Sequence, residues 1–145
     1  MPEALRLLSF DFGRKRIGIA LGNTLTGTAS PLETLCCNYP QIPWSSIDEL
    51  VTSWTPTLFL VGIPVPDEGQ TSTLEKPIRA FASQLQKRYD KPVEFVNEAF
   101  TSYEAETRLK QQRQQGRKQK LKKHEIDQQA AAIIAETWLE NHGST

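Results

Sequence analysis

The chain has 145 residues, enough for one ordinary domain whose hydrophobic core needs no disulfide or metal as a staple. A hydrophobic content of 38% against 23% charged residues excludes a disordered chain, and apolar runs such as Leu58-Phe59-Leu60-Val61 are too short to span a bilayer. Seventeen basic and seventeen acidic residues cancel formally but are unevenly placed.

In chain order, Leu5 to Phe12 reads as a strand with Leu8, Phe10 and Phe12 on one face and Leu7, Ser9 and Asp11 on the other. Gly13-Arg14-Lys15 is a tight turn, and Arg16 to Leu21 completes a hairpin in which Gly18, Ala20 and Gly22 leave one face bare. A third strand is expected within Thr28 to Cys37. The spacing of Ile47, Leu50, Val51 and Trp54 predicts a helix over Pro43 to Trp54. Thr57 to Ile63 reads as a buried strand of a parallel sheet, Pro64 to Gln70 as a loop, and Ser72 to Tyr89 as a helix. Pro92 to Asn97 is a further strand. Thr101-x-x-Glu104 has the capping-box spacing that opens a helix running to about Gln112, and a last helix covers roughly Glu125 to Asn141.

A hairpin followed by strand–helix alternation indicates an α/β domain. Its mixed sheet of about five strands has an antiparallel first hairpin, later parallel strands and flanking helices. No linker divides it, so one domain over residues 1–145 is expected. Met1-Pro2-Glu3 lacks the cationic start of a secretory signal, and a cytoplasmic protein without membrane contact is the expectation. The adjacent Cys36 and Cys37 are read as free thiols, at least one of them in a strand.

Between Thr107 and His124 stand eight cations and no acid: Arg108, Lys110, Arg113, Arg117, Lys118, Lys120, Lys122 and Lys123. A flexible basic loop at about 112–123 is expected, either as a phosphate-binding arm on an acidic body or as a solvated linker.

Three acids stand where folding alone would not place an unpaired charge. Asp11 lies inside the first strand between two phenylalanines, where it needs a cation or a set of donors; the turn at Gly13 is one source of donors. On a helical wheel Asp127 shares a face with Ala131, Ile134 and Trp138, at about 40°, 340° and 20° from it, although a helix-start aspartate also suits the dipole. Glu98 follows a strand, at the edge where open α/β sheets bind ligands, or is simply solvated. Gathered at one edge, the three would repel one another unless hard divalent ions neutralised them. Two such ions stabilise attacking and leaving oxygens in phosphodiester cleavage. A general-base role for His124 competes with plain solvation.

These residues carry a resemblance. Phe10-Asp11-Phe12-Gly13-Arg14-Lys15-Arg16-Ile17-Gly18-Ile19-Ala20 resembles the opening motif of the YqgF family, the RuvX-type pre-16S rRNA nucleases, also described as Holliday-junction-resolvase-like. Val61-Gly62-Ile63-Pro64 with Glu68-Gly69 is similar to its central loop, Glu98 with Thr101 and Ser102 to its third motif, and Asp127-Gln128-Gln129-Ala130-Ala131 to its last. The match runs in order over nearly the whole chain.

The resemblance implies an RNase H-like fold in which Asp11, Glu98 and Asp127 are catalytic acids holding Mg²⁺ or Mn²⁺. The implied activity is a two-metal endonuclease acting on the 5′ end of the 16S rRNA precursor, within ribosome biogenesis; cutting branched DNA is the alternative. Arg14, Lys15 and Arg16, together with Arg117, Lys118, Lys120, Lys122 and Lys123, are the expected nucleic-acid contacts, and Lys15 and Arg16 also fit ordinary turn charges. Asn97 and Ala99 stand where the third motif usually has Asp and Arg, and Asn23 where an acid is common. Loss of that arginine removes a fork-shaped phosphate partner, which leaves a third reading, a nucleic-acid-binding relative without catalysis. A homodimer, with Trp44 or Leu139 at its interface if exposed, is left open.

Overall fold

Alternation in the first strand sends two sets of side chains to opposite sides, and the rest of the fold is built around that division. The computed structural model describes residues 5–63, 75–97 and 123–142, with side chains in the last segment from Ile126 to Glu140. Five strands, β1 (Arg6–Phe12), β2 (Arg16–Asn23), β3 (Thr28–Cys36), β4 (Leu58–Ile63) and β5 (Val93–Asn97), form one sheet in the order β3-β2-β1-β4-β5. The first three pair antiparallel; β4 joins β1 and β5 joins β4 in parallel. This is the mixed sheet expected from the sequence.

Helices α1 (Trp44–Trp54) and α2 (Glu75–Tyr89) cover one face and α3 (Lys123–His142) the other. Leu8, Phe10 and Phe12 of β1, with Ile17, Ile19, Phe59 and Val61, meet Ile47 of α1 and Ile78, Phe81 and Leu85 of α2. On the opposite side Leu7, Leu58 and Leu60 meet Ile134, Trp138 and Leu139 of α3. β4 therefore buries both of its faces, which is why its sequence is apolar without a polar alternate. Full burial of side chains of this size contributes about 1.5–3 kcal/mol each before entropy is charged.

Helix α3 starts at Lys123, two residues before the expected Glu125, and so absorbs the last residue of the predicted basic loop. The rest of that loop, the predicted loop 64–70 and the predicted helix 101–112 lie outside the described residues. Cys36 lies in β3, and neither cysteine is in a disulfide. Trp44 stacks on Phe81 at 5.8 Å and is half-buried, while Leu139 is buried and is not available as an exposed anchor between copies of the chain. Among the described residues no helix is long and apolar enough to cross a membrane.

Candidate functional site

The bare face of β2 is the seat of α3. A β-carbon built on Gly18 would fall on the backbone carbonyl of Asp127. Two residues further along β2, Ala20 packs on Ala131 and Ala132, and two further again a β-carbon on Gly22 would lie 3.4 Å from the β-carbon of Ala135. Two strand residues advance about 6.8 Å and four helix residues about 6 Å, so small residues at alternate strand positions stay in step with every fourth helix residue. Ser9, the one buried polar residue among those described, donates a hydrogen bond from Oγ to the Ala131 carbonyl at 2.6 Å and fastens the helix to β1.

This docking brings two of the three acids together. Asp11 is the cross-strand partner of Gly18, and Gly18 carries the backbone of Asp127. The two carboxylates line one cleft of about 390 Å³ with Arg14, Lys15 and Arg16, over a wall of Phe12 and Gly13. The turn that presents the cations is held by its own backbone. A β-carbon on Gly13 would lie 2.7 Å from the Arg16 carbonyl oxygen, so a side chain there would open the hairpin. The amides of Cys37 and Tyr39 donate to the carbonyls of Lys15 and Arg14 at 2.8 and 3.2 Å. Arg14 and Lys15 are exposed on the rim, while Arg16 is half-buried and reaches inward. Its Nε donates to Asp127 Oδ2 at 2.7 Å.

That ion pair changes the electrostatic expectation. The sequence suggested a cluster of acids that repels itself in the absence of divalent ions, yet three cations face the two carboxylates of this cleft and one of them touches Asp127. As metal donors, Asp11 and Asp127 offer hard carboxylate oxygens, and no thiol or imidazole is among the residues lining the cleft; this chemistry suits Mg²⁺ or Mn²⁺. No group of three or more candidate ligands gathers among the described residues.

Glu98 lies outside the described residues, as do Arg117, Lys118, Lys120 and Lys122; Lys123 and His124 belong to α3 with side chains not described. The strand leading to Glu98 is placed, however. Asn97 pairs with Ile63 at the carboxyl end of β4, and Val61 of β4 pairs with Phe10 beside Asp11.

Two features are not legible in the sequence. Arg16 and Asp127 are 111 residues apart, and nothing local in either segment announces their pairing. On the far face, Arg88 grips Asp48 through two nitrogens at 2.9 and 2.7 Å, Tyr89 Oη donates to Asp48 at 2.6 Å, and Arg88 lies 5.1 Å over the Trp44 ring. The Arg88 bonds, and then that of Tyr89, hold the Asp48 carboxyl down to about 2. Burial, and then the neighbouring carboxylate, pushes the Tyr89 hydroxyl well up. The Arg88 signal was a cation three residues from Leu85, legible only as an exposed helix charge.

The family model described as "RuvX: Holliday junction resolvase" matches residues 5–141. A relative named "Putative pre-16S rRNA nuclease" from Legionella pneumophila is 39% identical over 140 residues, covering 97% of this chain and 98% of the relative. One of the same name from Aeromonas hydrophila is 37% identical, covering 92% of this chain and 94% of the relative. Among solved structures, Thermus thermophilus RuvC in complex with a Holliday junction substrate superposes with a TM-score of 0.58 at 14% identity, covering 97% of this chain and 98% of that one. The fowlpox virus resolvase bound to Holliday junction DNA gives 0.61 at 12%, covering 94% and 98%. At such identities the structural likeness is one of fold, the RNase H-like fold shared by these resolvases. The sequence match decides the family: this chain belongs to the RuvX family.

Proposed function

We propose that the chain is a single-domain, metal-dependent endonuclease that hydrolyses phosphodiester bonds, with the 5′ end of the 16S rRNA precursor as its substrate. The observation that carries this reading is the meeting of Asp11 and Asp127, 116 positions apart in the sequence, in one cleft rimmed by Arg14, Lys15 and Arg16. The name borne by the Legionella and Aeromonas relatives supports the choice of substrate.

Asp11 and Asp127, completed by Glu98, would hold Mg²⁺ or Mn²⁺. Bound there, divalent ions supply an activated water and neutralise the leaving oxygen, in the two-metal manner. The chain's own residues do the rest. Arg14 and Lys15, exposed on a turn whose carbonyls are tied down, present cations to the phosphate backbone at a fixed height above the cleft. Arg117, Lys118, Lys120, Lys122 and Lys123 extend that field and offset the repulsion between a carboxylate site and a polyanion.

A junction-cutting DNase is the second reading, favoured by the description of the family model. A single experiment separates the possibilities: wild type and Asp11→Asn are given a precursor rRNA fragment and a four-way DNA junction in Mg²⁺ or Mn²⁺. The expected outcome is cleavage of the RNA, reduced at least about 100-fold by the substitution. Equal cleavage by both proteins removes Asp11 from the chemistry. Preferential cutting of the junction transfers the activity to DNA, and binding without cleavage identifies a relative in which catalysis has decayed.

A further inference from the structure

Two arginine–aspartate pairs in this molecule are built differently. Arg88 clasps Asp48 with two nitrogens on two oxygens, a fork that fixes both partners. Arg16 meets Asp127 through Nε on Oδ2 alone. The Arg16 side chain is 31% exposed and borders the turn that carries Arg14 and Lys15, so it has a path from the cleft interior to the rim. Its partner stands on a helix start that cannot follow, because the Asp127 backbone is lodged against Gly18 in the space of the missing β-carbon.

We propose that Arg16 is a stand-in cation for Asp127. It neutralises that carboxylate while the site holds no divalent ion, yields Oδ2 when one arrives, and then serves the phosphate of the substrate from the rim. The inference rests on the reading of Asp127 as a metal ligand and adds an exchange to it. The charges balance: the carboxylate trades one positive partner for a doubly charged one, and the incoming ion repels the guanidinium outward, toward where a phosphodiester brings negative charge. Arg16 is in this sense a positioning residue that holds Asp127 Oδ2 in place before loading.

The test uses the full chain and Mn²⁺ alone, with the free ion followed by electron paramagnetic resonance. Arg16→Gln is expected to bind Mn²⁺ about three- to ten-fold more tightly than wild type, because the ion no longer displaces a competitor. Lys15→Gln removes the same charge from the same cleft and is expected to change affinity less than about two-fold. In an Asp127→Asn background, adding Arg16→Gln changes the remaining affinity little, as a double-mutant cycle requires of a pair-specific effect. RNA binding supplies a second readout: Arg16→Gln costs about three-fold or more in Ca²⁺ but little in EDTA, where the wild-type guanidinium is held by Asp127.

If Arg16→Gln binds Mn²⁺ no more tightly than wild type, or if Lys15→Gln tightens it equally, the exchange is overturned while the metal site stands. Equal losses of RNA affinity in Ca²⁺ and EDTA overturn it too. If Asp11→Asn and Asp127→Asn both leave Mn²⁺ binding unchanged, the metal site itself falls and the exchange falls with it.

Discussion

The two faces of the sheet are packed on opposite principles. Toward α1 and α2 the contacts are large and aromatic: Phe81 meets Phe10 edge-on at 5.4 Å, Phe12 at 5.0 Å and Trp44 at 5.8 Å, and the Asp48–Arg88–Tyr89 cluster bolts the two helices together outside. Toward α3 the β2 surface is Gly18, Ala20 and Gly22, and the helix answers with its own backbone and a run of alanines. The first face buries area and contributes stability. Over β2 the second forgoes area for closeness, leaving its large contacts to β1 and β4, and closeness is what carries Asp127 to Asp11. One sheet thus separates the work of staying folded from the work of holding a site.

Substitutions on each face should break the two functions separately. The largest effect on stability belongs to Phe81→Ala, which removes the ring shared by three aromatic neighbours; a loss of about 3–5 kcal/mol is expected, lowering the thermal midpoint by about 10 °C or more. The protein that remains folded should keep its cleavage rate per molecule. A rate that collapses along with stability would show that the aromatic face also shapes the cleft.

Gly18→Ala should do the reverse. Its methyl group must displace the start of α3, at an overpacking cost of about 1–3 kcal/mol, smaller than that of Phe81→Ala. A shift of about 1 Å between reacting groups is worth about 100-fold in rate, so activity should fall far more than stability does. Denaturant midpoints measured beside cleavage rates check this; proportionate losses would mean that the glycine serves packing alone.

The smallest effect tests the outer bolt. Asp48 has its carboxyl depressed to about 2 by Arg88 and Tyr89, below an ordinary value of about 3.9. A depressed acid contributes stability that is present above its unfolded value and lost as pH falls through its folded one. Between about pH 4 and pH 2 the wild-type thermal midpoint should therefore drop more steeply than that of Asp48→Asn. Parallel curves would make the pair a surface ornament, which exposed ion pairs often are.

Much of this was legible in the residues because the signals are local. The alternation of Leu7 to Phe12 sorted side chains to two faces, and each was found on the face expected. The small residues of β2 were visible as a bare surface, and Asp127 stood on the same helical stripe as Ala131, Ile134 and Trp138, all three of them buried. The partners of those surfaces were not visible. Nothing near Gly18 says that a helix more than a hundred residues later will rest on it, and nothing near Arg16 says which acid it will meet.

Periodicity and motif therefore determined the elements, the faces they bury and the acids under suspicion, because each depends on neighbours a few positions away along the chain. Only the tertiary structure decided that Asp127 shares a cleft with Asp11 and already holds an arginine. That outcome depends on how closely a helix can approach a strand, and the approach is set by side chains absent from one segment and backbone supplied by another.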